Sequence, residues 1–262
     1  MKVLKTITHH LFVLAMLGFA SIPRLSAQTF TTLYSFAGFP SDGADPVDGL
    51  ILSGNTLYGT TVTGGIYGNG TVFSINTDGT RFTNLYSFTG SYDGGTPHGG
   101  LILLGNTLYG TAQNGGLGWG TVFAINTDGT GFTNFYNFTE ASGPNNGLQI
   151  NNDGANPQAG LILSSNILYS TAHLGGSSGY GTVFSLSFAP QLVIFPSEAE
   201  LILTWPTNVA GFDYTGYTLQ SSTSLVSSAV WSTVSPKPTA VNGQNAVTNQ
   251  ISGTQKFYRL RL

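Results

Sequence analysis

Residues 100–138 read GLILLGNTLYGTAQNGGLGWGTVFAINTDGTGFTNFYNF, and the same pattern starts at Gly49 and again at Gly160. A motif of about 50 residues that recurs three times defines a repeat protein, so fold and function must both be read through it. Each copy opens on an apolar triplet, Leu50-Ile51-Leu52, Leu101-Ile102-Leu103 or Leu161-Ile162-Leu163, followed at once by Gly54-Asn55, Gly105-Asn106 or Ser165-Asn166. Such a pair between apolar runs predicts a two-residue hairpin, because the primed turns need positive φ and Gly reaches it without steric cost.

The second strand carries Leu57-Tyr58-Gly59-Thr60, Leu108-Tyr109-Gly110-Thr111 or Leu168-Tyr169-Ser170-Thr171 and runs into Gly64-Gly65, Gly115-Gly116 or Gly175-Gly176. These glycines predict a loop where backbone approaches backbone. The third strand is Gly70-Thr71-Val72-Phe73, Gly120-Thr121-Val122-Phe123 or Gly181-Thr182-Val183-Phe184. In the first two copies it ends in Asn-Thr-Asp-Gly-Thr, residues 76–80 and 126–130, a turn built on Asp-Gly. Residues 82–88 and 132–138, rich in aromatics and Thr, make a fourth strand. One repeat is thus expected to be a four-stranded meander.

The third copy stops after Leu186 with no fourth strand, while a strand of that type, FTTLYSF at residues 30–36, precedes the first copy and resembles FTNLYSF at 82–88. This predicts ring closure, with the N-terminal strand completing the last sheet and removing exposed edges. Large side chains at neighbouring positions, Leu85 with Tyr86 and Val72 with Phe73, point to opposite faces of a strand, so both faces need cover. Radially stacked sheets, as in a propeller, supply it. Propellers typically have about 4 to 8 blades, which leaves open a homodimer completing a six-bladed ring, a tight or open three-blade array, and a β-trefoil. The expected fold is therefore all-β: a propeller-like array of three four-stranded repeats, with a β-trefoil as the alternative, followed by a small β-sandwich.

Residues 1–27 read as a signal peptide, with Lys2 and Lys5, an apolar run over 11–20 and Leu25-Ser26-Ala27 as the cleavage site. That run is too short to cross a bilayer, which needs about 20 residues. The three-repeat β domain then occupies 28–189. Over 190–262 the motif ends and Ser, Thr and Val dominate, with candidate strands at 191–195, 200–205, 217–221, 230–234, 246–249 and 256–262, as in a small antiparallel sandwich. The chain contains no cysteine, so neither disulfides nor thiolate metal sites contribute. Between residues 28 and 189 the acids are Asp42, Asp45, Asp48, Asp78, Asp93, Asp128, Glu140 and Asp153 and the sole base is Arg81. Nucleic-acid binding, which needs clustered Lys and Arg, is excluded on that balance.

Two repeated sets are candidate ligand contacts. Asp42, Asp93 and Asp153 stand at the same place ahead of the first strand, so pseudosymmetry puts them on one rim. Oxygen-rich rims hold calcium or hydrogen-bond sugars, but Asp-Gly is also an ordinary turn sequence. No Asp-x-Asp-x-Asp-Gly loop occurs, and no metal or cofactor is expected. Tyr67, Trp119 and Tyr180 lie in the loops between second and third strands, where exposed aromatics stack on sugars or anchor a protein, or else pack against the neighbouring repeat. Gly175-Gly176-Ser177-Ser178-Gly179 matches a nucleophile elbow on paper. That motif needs a strand-to-helix turn, whereas here it occupies a repeat loop. His98 and His173 stand at non-equivalent positions without a second ligand.

The pattern GLIL, LYGT, Gly-Gly and GTVF, preceded by Asp-Gly-x-x-Pro, resembles the GloVer tandem repeats of exported bacterial "choice-of-anchor" proteins over about residues 30–186. The resemblance implies an extracellular or cell-surface location and carries no catalytic residues. The Leu201-Ile202-Leu203-Thr204-Trp205-Pro206 stretch resembles an early strand of a fibronectin type III-like domain with Trp205 in its core. The expected function is a secreted or surface-associated binding or adhesion module, not an enzyme, whose partner is an extracellular glycan or a surface protein. A polysaccharide-active enzyme with paired carboxylates and a purely structural exported repeat protein are the alternatives.

Overall fold

Three stretches of chain, 29–143, 148–250 and 255–262, are described by the computed structural model. The expected signal segment lies outside the described residues. Residues 33–262 form one compact unit; of the other, 1–32, only residues 29–32 are described, without regular structure. Every regular element among the described residues is a strand, so the all-β expectation holds and no helix is long and apolar enough to cross a membrane.

Each of the first two repeats is the meander its sequence predicts. Ile51–Ser53, Thr56–Thr61, Thr71–Asn76 and Thr83–Ser87 pair antiparallel in chain order. Ile102–Leu104, Thr107–Ala112, Thr121–Asn126 and Thr133–Asn137 do the same. The hairpin glycines Gly54 and Gly105 each sit at φ +57°, and in the third copy Ser165 and Asn166 take +48° and +63°, the left-handed pair of a type I′ turn. The fourth strand bulges at Leu85 in the first repeat and at Phe135 in the second, because Val72 pairs Tyr86 while Phe73 pairs Asn84, and likewise Val122 and Phe123 with Tyr136 and Asn134.

Successive sheets are joined by an aromatic step. Tyr86 stacks on Phe132 at 3.9 Å and Phe88 meets Phe123 edge-on at 5.1 Å, so the fourth strand of the first repeat is both the edge of its own sheet and the cover of the next. Residues 33–36 repeat this over the first sheet: Tyr34 stacks on Phe82 at 3.9 Å and Phe36 meets Phe73 at 5.1 Å. The Asp-Gly turns fit beneath these strands. A Cβ on Gly129 would lie 3.0 Å from the Leu85 carbonyl oxygen and one on Gly79 2.8 Å from that of Leu33, so glycine is required by approach as well as by φ. Both faces of the third strand are accordingly covered, with Val72, Phe73, Val122 and Phe123 all buried.

A second link is made by the backbone. Asp45, Thr96 and Asn156, each just before a proline, take φ of 57°, 49° and 53°. This conformation costs a non-glycine residue on the order of 1–3 kcal/mol. It lets one residue address two repeats: the Thr96 N–H donates to the Asn69 carbonyl and the Asn156 N–H to that of Trp119, both at 2.8 Å, while the Thr96 carbonyl accepts from Gln113.

The third sheet departs from the first two. Ile162–Ser164 and Ala155–Pro157 pair with Ile167–Leu174, whose other side pairs with Thr182–Ser187. Among the described residues Thr182–Ser187 has no further partner strand. Closure of the ring by residues 30–36 is therefore not observed. Tyr34 and Phe36 take the places over the first sheet that Tyr86 and Phe88 take over the second, so the likeness of the two segments is expressed as cover rather than as edge pairing. The strands of the repeats fall into separate meanders with no closed barrel among the described residues, which removes the trefoil alternative.

After Pro190 the chain forms a four-stranded sheet in the order Val193–Ser197, Glu200–Pro206, Gln244–Gln250, Thr239–Val241, and a three-stranded one in the order Ser232–Thr233, Thr218–Ser222, Phe257–Arg261. Thr239–Val241 and a short hairpin, Asn208–Val209 with Phe212–Asp213, are additions to the strands expected from sequence. Trp205, Leu203, Leu219 and Val247 are buried in one cluster with Tyr109, Phe138 and Leu168 of the repeats. The hairpin makes the join: the Tyr109 hydroxyl donates to the Ala210 carbonyl at 2.7 Å, and the Tyr109 and Phe212 rings are 5.5 Å apart.

Candidate binding surface

The repeated aspartates are structural staples. Asp42 is buried and accepts the Tyr34 hydroxyl at 2.5 Å and the N–H groups of Ala37 and Gly38 at 2.8 and 2.7 Å. Asp93 accepts the Tyr86 hydroxyl at 2.9 Å, the Thr89 N–H at 2.8 Å and the Thr89 hydroxyl. Asp153 accepts the Tyr136 hydroxyl at 2.8 Å and the N–H and hydroxyl of Thr139 at 2.9 and 2.5 Å. Each carboxylate thus ties a Tyr-x-Phe, in a fourth strand for Asp93 and Asp153 and in residues 34–36 for Asp42, to the turn that follows it. Burial works to raise the Asp153 carboxyl, but the hydrogen bonds from Thr139 and Tyr136 prevail and hold it below the usual carboxylate value. Donation to Asp42, then burial, pushes Tyr34 up to about 12; burial, then donation to Asp153, does the same to Tyr136. The three aspartates occupy equivalent places, as expected, yet their oxygens are engaged by the tyrosine that precedes each repeat and by the turn between them.

The three loop aromatics are less alike than their loops. The residue before the last loop glycine is Asn69 in the first copy, Trp119 in the second and Tyr180 in the third; Asn69 and Trp119 both give their carbonyls to the next repeat. Tyr67 stands two positions earlier, so the set Tyr67, Trp119, Tyr180 is not one symmetric ring of contacts. Tyr67 and Tyr180 are exposed, whereas Trp119 is half-buried and packs against the core.

Beside the second repeat's lead-in lies a cleft of about 510 Å³, walled by Tyr86, Thr89, Ser91, Tyr92, Asp93 and Phe132 to Asn134. Tyr92 is 63% exposed there. Asn134 donates through Nδ2 to the Tyr92 carbonyl and, at 3.1 Å, to Asn137 Oδ1, which fixes the orientation of its amide. Its Oδ1 is buried and accepts nothing, as is Asn84 Oδ1 at the equivalent place in the first repeat. Leaving a buried acceptor unpaired costs about 1–3 kcal/mol, so both repeats carry the same local cost at this strand. Neither Tyr92 nor Asn134 stood out in the sequence. The recurrence of Phe-Thr-Asn at 82–84 and 132–134 was the available signal, since Asn is depleted in strands. A larger cavity, about 560 Å³, sits at the join with the C-terminal sheets among Phe135, Phe188, Pro190, Val193, Phe212 and Tyr214. Phe188 contacts both Phe135 and Phe212 at 4.7 Å across it, as a packing seam does.

Ser177 of the elbow-like motif lies in a turn after Ile167–Leu174, with no helix following it. No group of three or more His, Asp or Glu among the described residues is placed to hold a metal.

The Gloeobacter/Verrucomicrobia repeat model matches residues 20–197, and the chain belongs to that family. No curated protein matches the chain significantly.

Proposed function

We propose that this chain is an exported, surface-associated binding module that takes an extracellular glycan in the cleft between Tyr92 and Asn134. The observation that carries the reading is a cleft of about 510 Å³ lined by the exposed ring of Tyr92 together with the polar residues Thr89, Ser91, Asp93 and Asn134. A sugar suits that lining, with an apolar ring face to stack on the tyrosine and hydroxyls to meet the polar side chains. Binding is favoured over carboxylate-pair hydrolysis, which needs two free carboxyl groups flanking the bond, because Asp42, Asp93 and Asp153 are each occupied by the tyrosine of the preceding segment. The proposal includes export through residues 1–27, a propeller-like stacking of the repeats, and a fibronectin type III-like C-terminal region that positions them. The family resemblance and the signal-like start support the first, the repeated aromatic step the second, and the four- and three-stranded antiparallel sheets around Trp205 the third.

The test is a glycan array probed with the exported protein, whose N-terminus should fall near Gln28, followed by titration of the best-bound saccharide. Tyr92→Ala and Asn134→Leu should each weaken binding about tenfold or more, the loss of one ring or one hydrogen bond. Silence on the array, or affinity unchanged in both variants, would remove the cleft as the site.

A further inference from the structure

We propose that the open edge of the third sheet takes residues 30–36 of a second copy of this chain as its missing fourth strand. The deficit is specific. Val72 and Val122 are fully buried, but Val183 at the same place is 83% exposed. Where the first two repeats carry their fourth strand, the third has a groove of about 320 Å³ lined by Tyr136, Phe138, Asp153, Val183, Phe184 and Leu186. Tyr34 and Tyr86 are each stacked by a phenylalanine, Phe82 and Phe132, that opens the next repeat's fourth strand. Tyr136 has its edge-on partner Phe138 and no such stacked ring among the described residues.

The surplus at the other end matches it. FTTLYSF at 30–36 differs from FTNLYSF at 82–88 only at Thr32. Tyr34 and Phe36 already cover the first sheet as an internal fourth strand covers its successor, yet residues 30–36 belong to no strand. Phe30, the counterpart of the stacking rings Phe82 and Phe132, is 92% exposed. Carrying over the register of the first two repeats, with Leu33 in the bulge, places Tyr34 of one copy opposite Val183 of the other and Thr31 opposite Ser185. The same step puts the Asp45 N–H on the Tyr180 carbonyl, as Thr96 meets Asn69 and Asn156 meets Trp119. The junction between copies therefore continues an interface that the chain already makes twice internally. It also ends an unpaired sheet edge by strand addition. If two copies exchange reciprocally the array holds six repeats, within the range of about 4 to 8 units in which such arrays close.

The absence of cysteine allows a direct test with the exported protein. Thr31→Cys and Ser185→Cys are made separately, both at exposed positions, and mixed under mild oxidation. The expected result is a disulfide-linked pair in the mixture and little in either variant alone. Light scattering of the unmodified protein should give at least twice the single-chain mass, and Val183→Lys, which puts a charge on the open edge, should return it to one copy, with a thermal midpoint equal to that of the unmodified protein at dilutions where both are single copies. A linkage formed only within one chain when both cysteines are in the same molecule would overturn the proposal in favour of self-closure. A single-copy mass with no linkage in the mixture would overturn it outright.

Discussion

The second and third repeats carry nearly the same third strand, Thr121–Asn126 and Thr182–Ser187, yet one is buried along its length and the other alternates between half-buried and exposed. Both hold Gly-Thr-Val-Phe at the start, so local propensity cannot account for the difference. What differs is the neighbour. Thr121–Asn126 is paired on both sides, and Tyr86 and Phe88 of the repeat before roof one of its faces. Thr182–Ser187 has Tyr136 and Phe138 of the preceding repeat near one face, but among the described residues no strand beyond it. In a repeat array, stability is a sum of unit and nearest-neighbour contributions. The third repeat lacks one of those neighbours.

The largest expected expression of this contrast is at the phenylalanines. Phe123 is fully buried against Phe88 and Phe132, and Phe123→Ala should cost about 3–5 kcal/mol. Phe184 meets Phe138 at 5.2 Å but is only partly buried, and Phe184→Ala should cost about half as much. Urea unfolding of the dilute protein measures both. Equal losses would mean that the open edge is not felt by the core beneath it.

A smaller contrast is expected one residue earlier. Val122→Ala removes buried methyl groups and should cost about 2 kcal/mol. Val183→Ala, at an exposed position, should stay within about 0.5 kcal/mol. A loss at Val183 comparable to that at Val122 under conditions of single-copy mass would show that the edge is covered within one chain.

The tyrosine–aspartate staple is present in both repeats and should behave alike in both. Asp153→Asn should cost about 1 kcal/mol near neutral pH, the low end for charged hydrogen bonds once screening of a part-exposed carboxylate is allowed for. Because the folded protein holds the Asp153 carboxyl below its ordinary value of 3.8, this contribution is complete above that value and is lost as pH falls through the folded one. The gap between wild type and Asp153→Asn should therefore narrow below about pH 4. Tyr136 has the opposite sign: raised from 10.0 to about 12, it contributes fully below pH 10 and loses that contribution as pH climbs toward 12. A gap that widens in acid would show that the carboxylate is strained rather than stabilised.

The meander was legible because its determinants are local. The apolar triplet, the turn pair and the period of two are read along the chain, and the four meander strands of the first two repeats and the first three of the third lie where that reading puts them, while Ala155–Pro157 was not expected. The destination of residues 30–36 was not legible, because FTTLYSF encodes two surfaces at once, a strand edge and an aromatic roof, and sequence does not rank them. The bulges at Leu85 and Phe135 were hidden for a related reason: they arise from pairing across strands. Asp42, Asp93 and Asp153 were found as a set but read as a rim, since their partners, the tyrosines seven to seventeen residues earlier, are joined to them only by folding. Asn134 was overlooked because its orphaned oxygen is a property of burial.

The smallest effects are expected at the loop aromatics, where the two repeats can be separated without disturbing either sheet. Tyr180 is 80% exposed, so Tyr180→Ala should leave the thermal midpoint where it is. Trp119 holds the equivalent place one repeat earlier, where its ring packs against the core, so Trp119→Ala should lower the midpoint, by about 1 kcal/mol or more of stability. Tyr67→Ala, at an exposed position outside the symmetric set, should resemble Tyr180→Ala. Differential scanning calorimetry of the three variants at one dilute concentration decides the matter. A midpoint shift for Tyr180→Ala that appears only as concentration rises would instead place that side chain in the junction between copies. A shift of equal size for all three at every concentration would mean that neighbour cover does not govern these loops, and the contrast drawn between the second and third repeats would fail at its outermost residues.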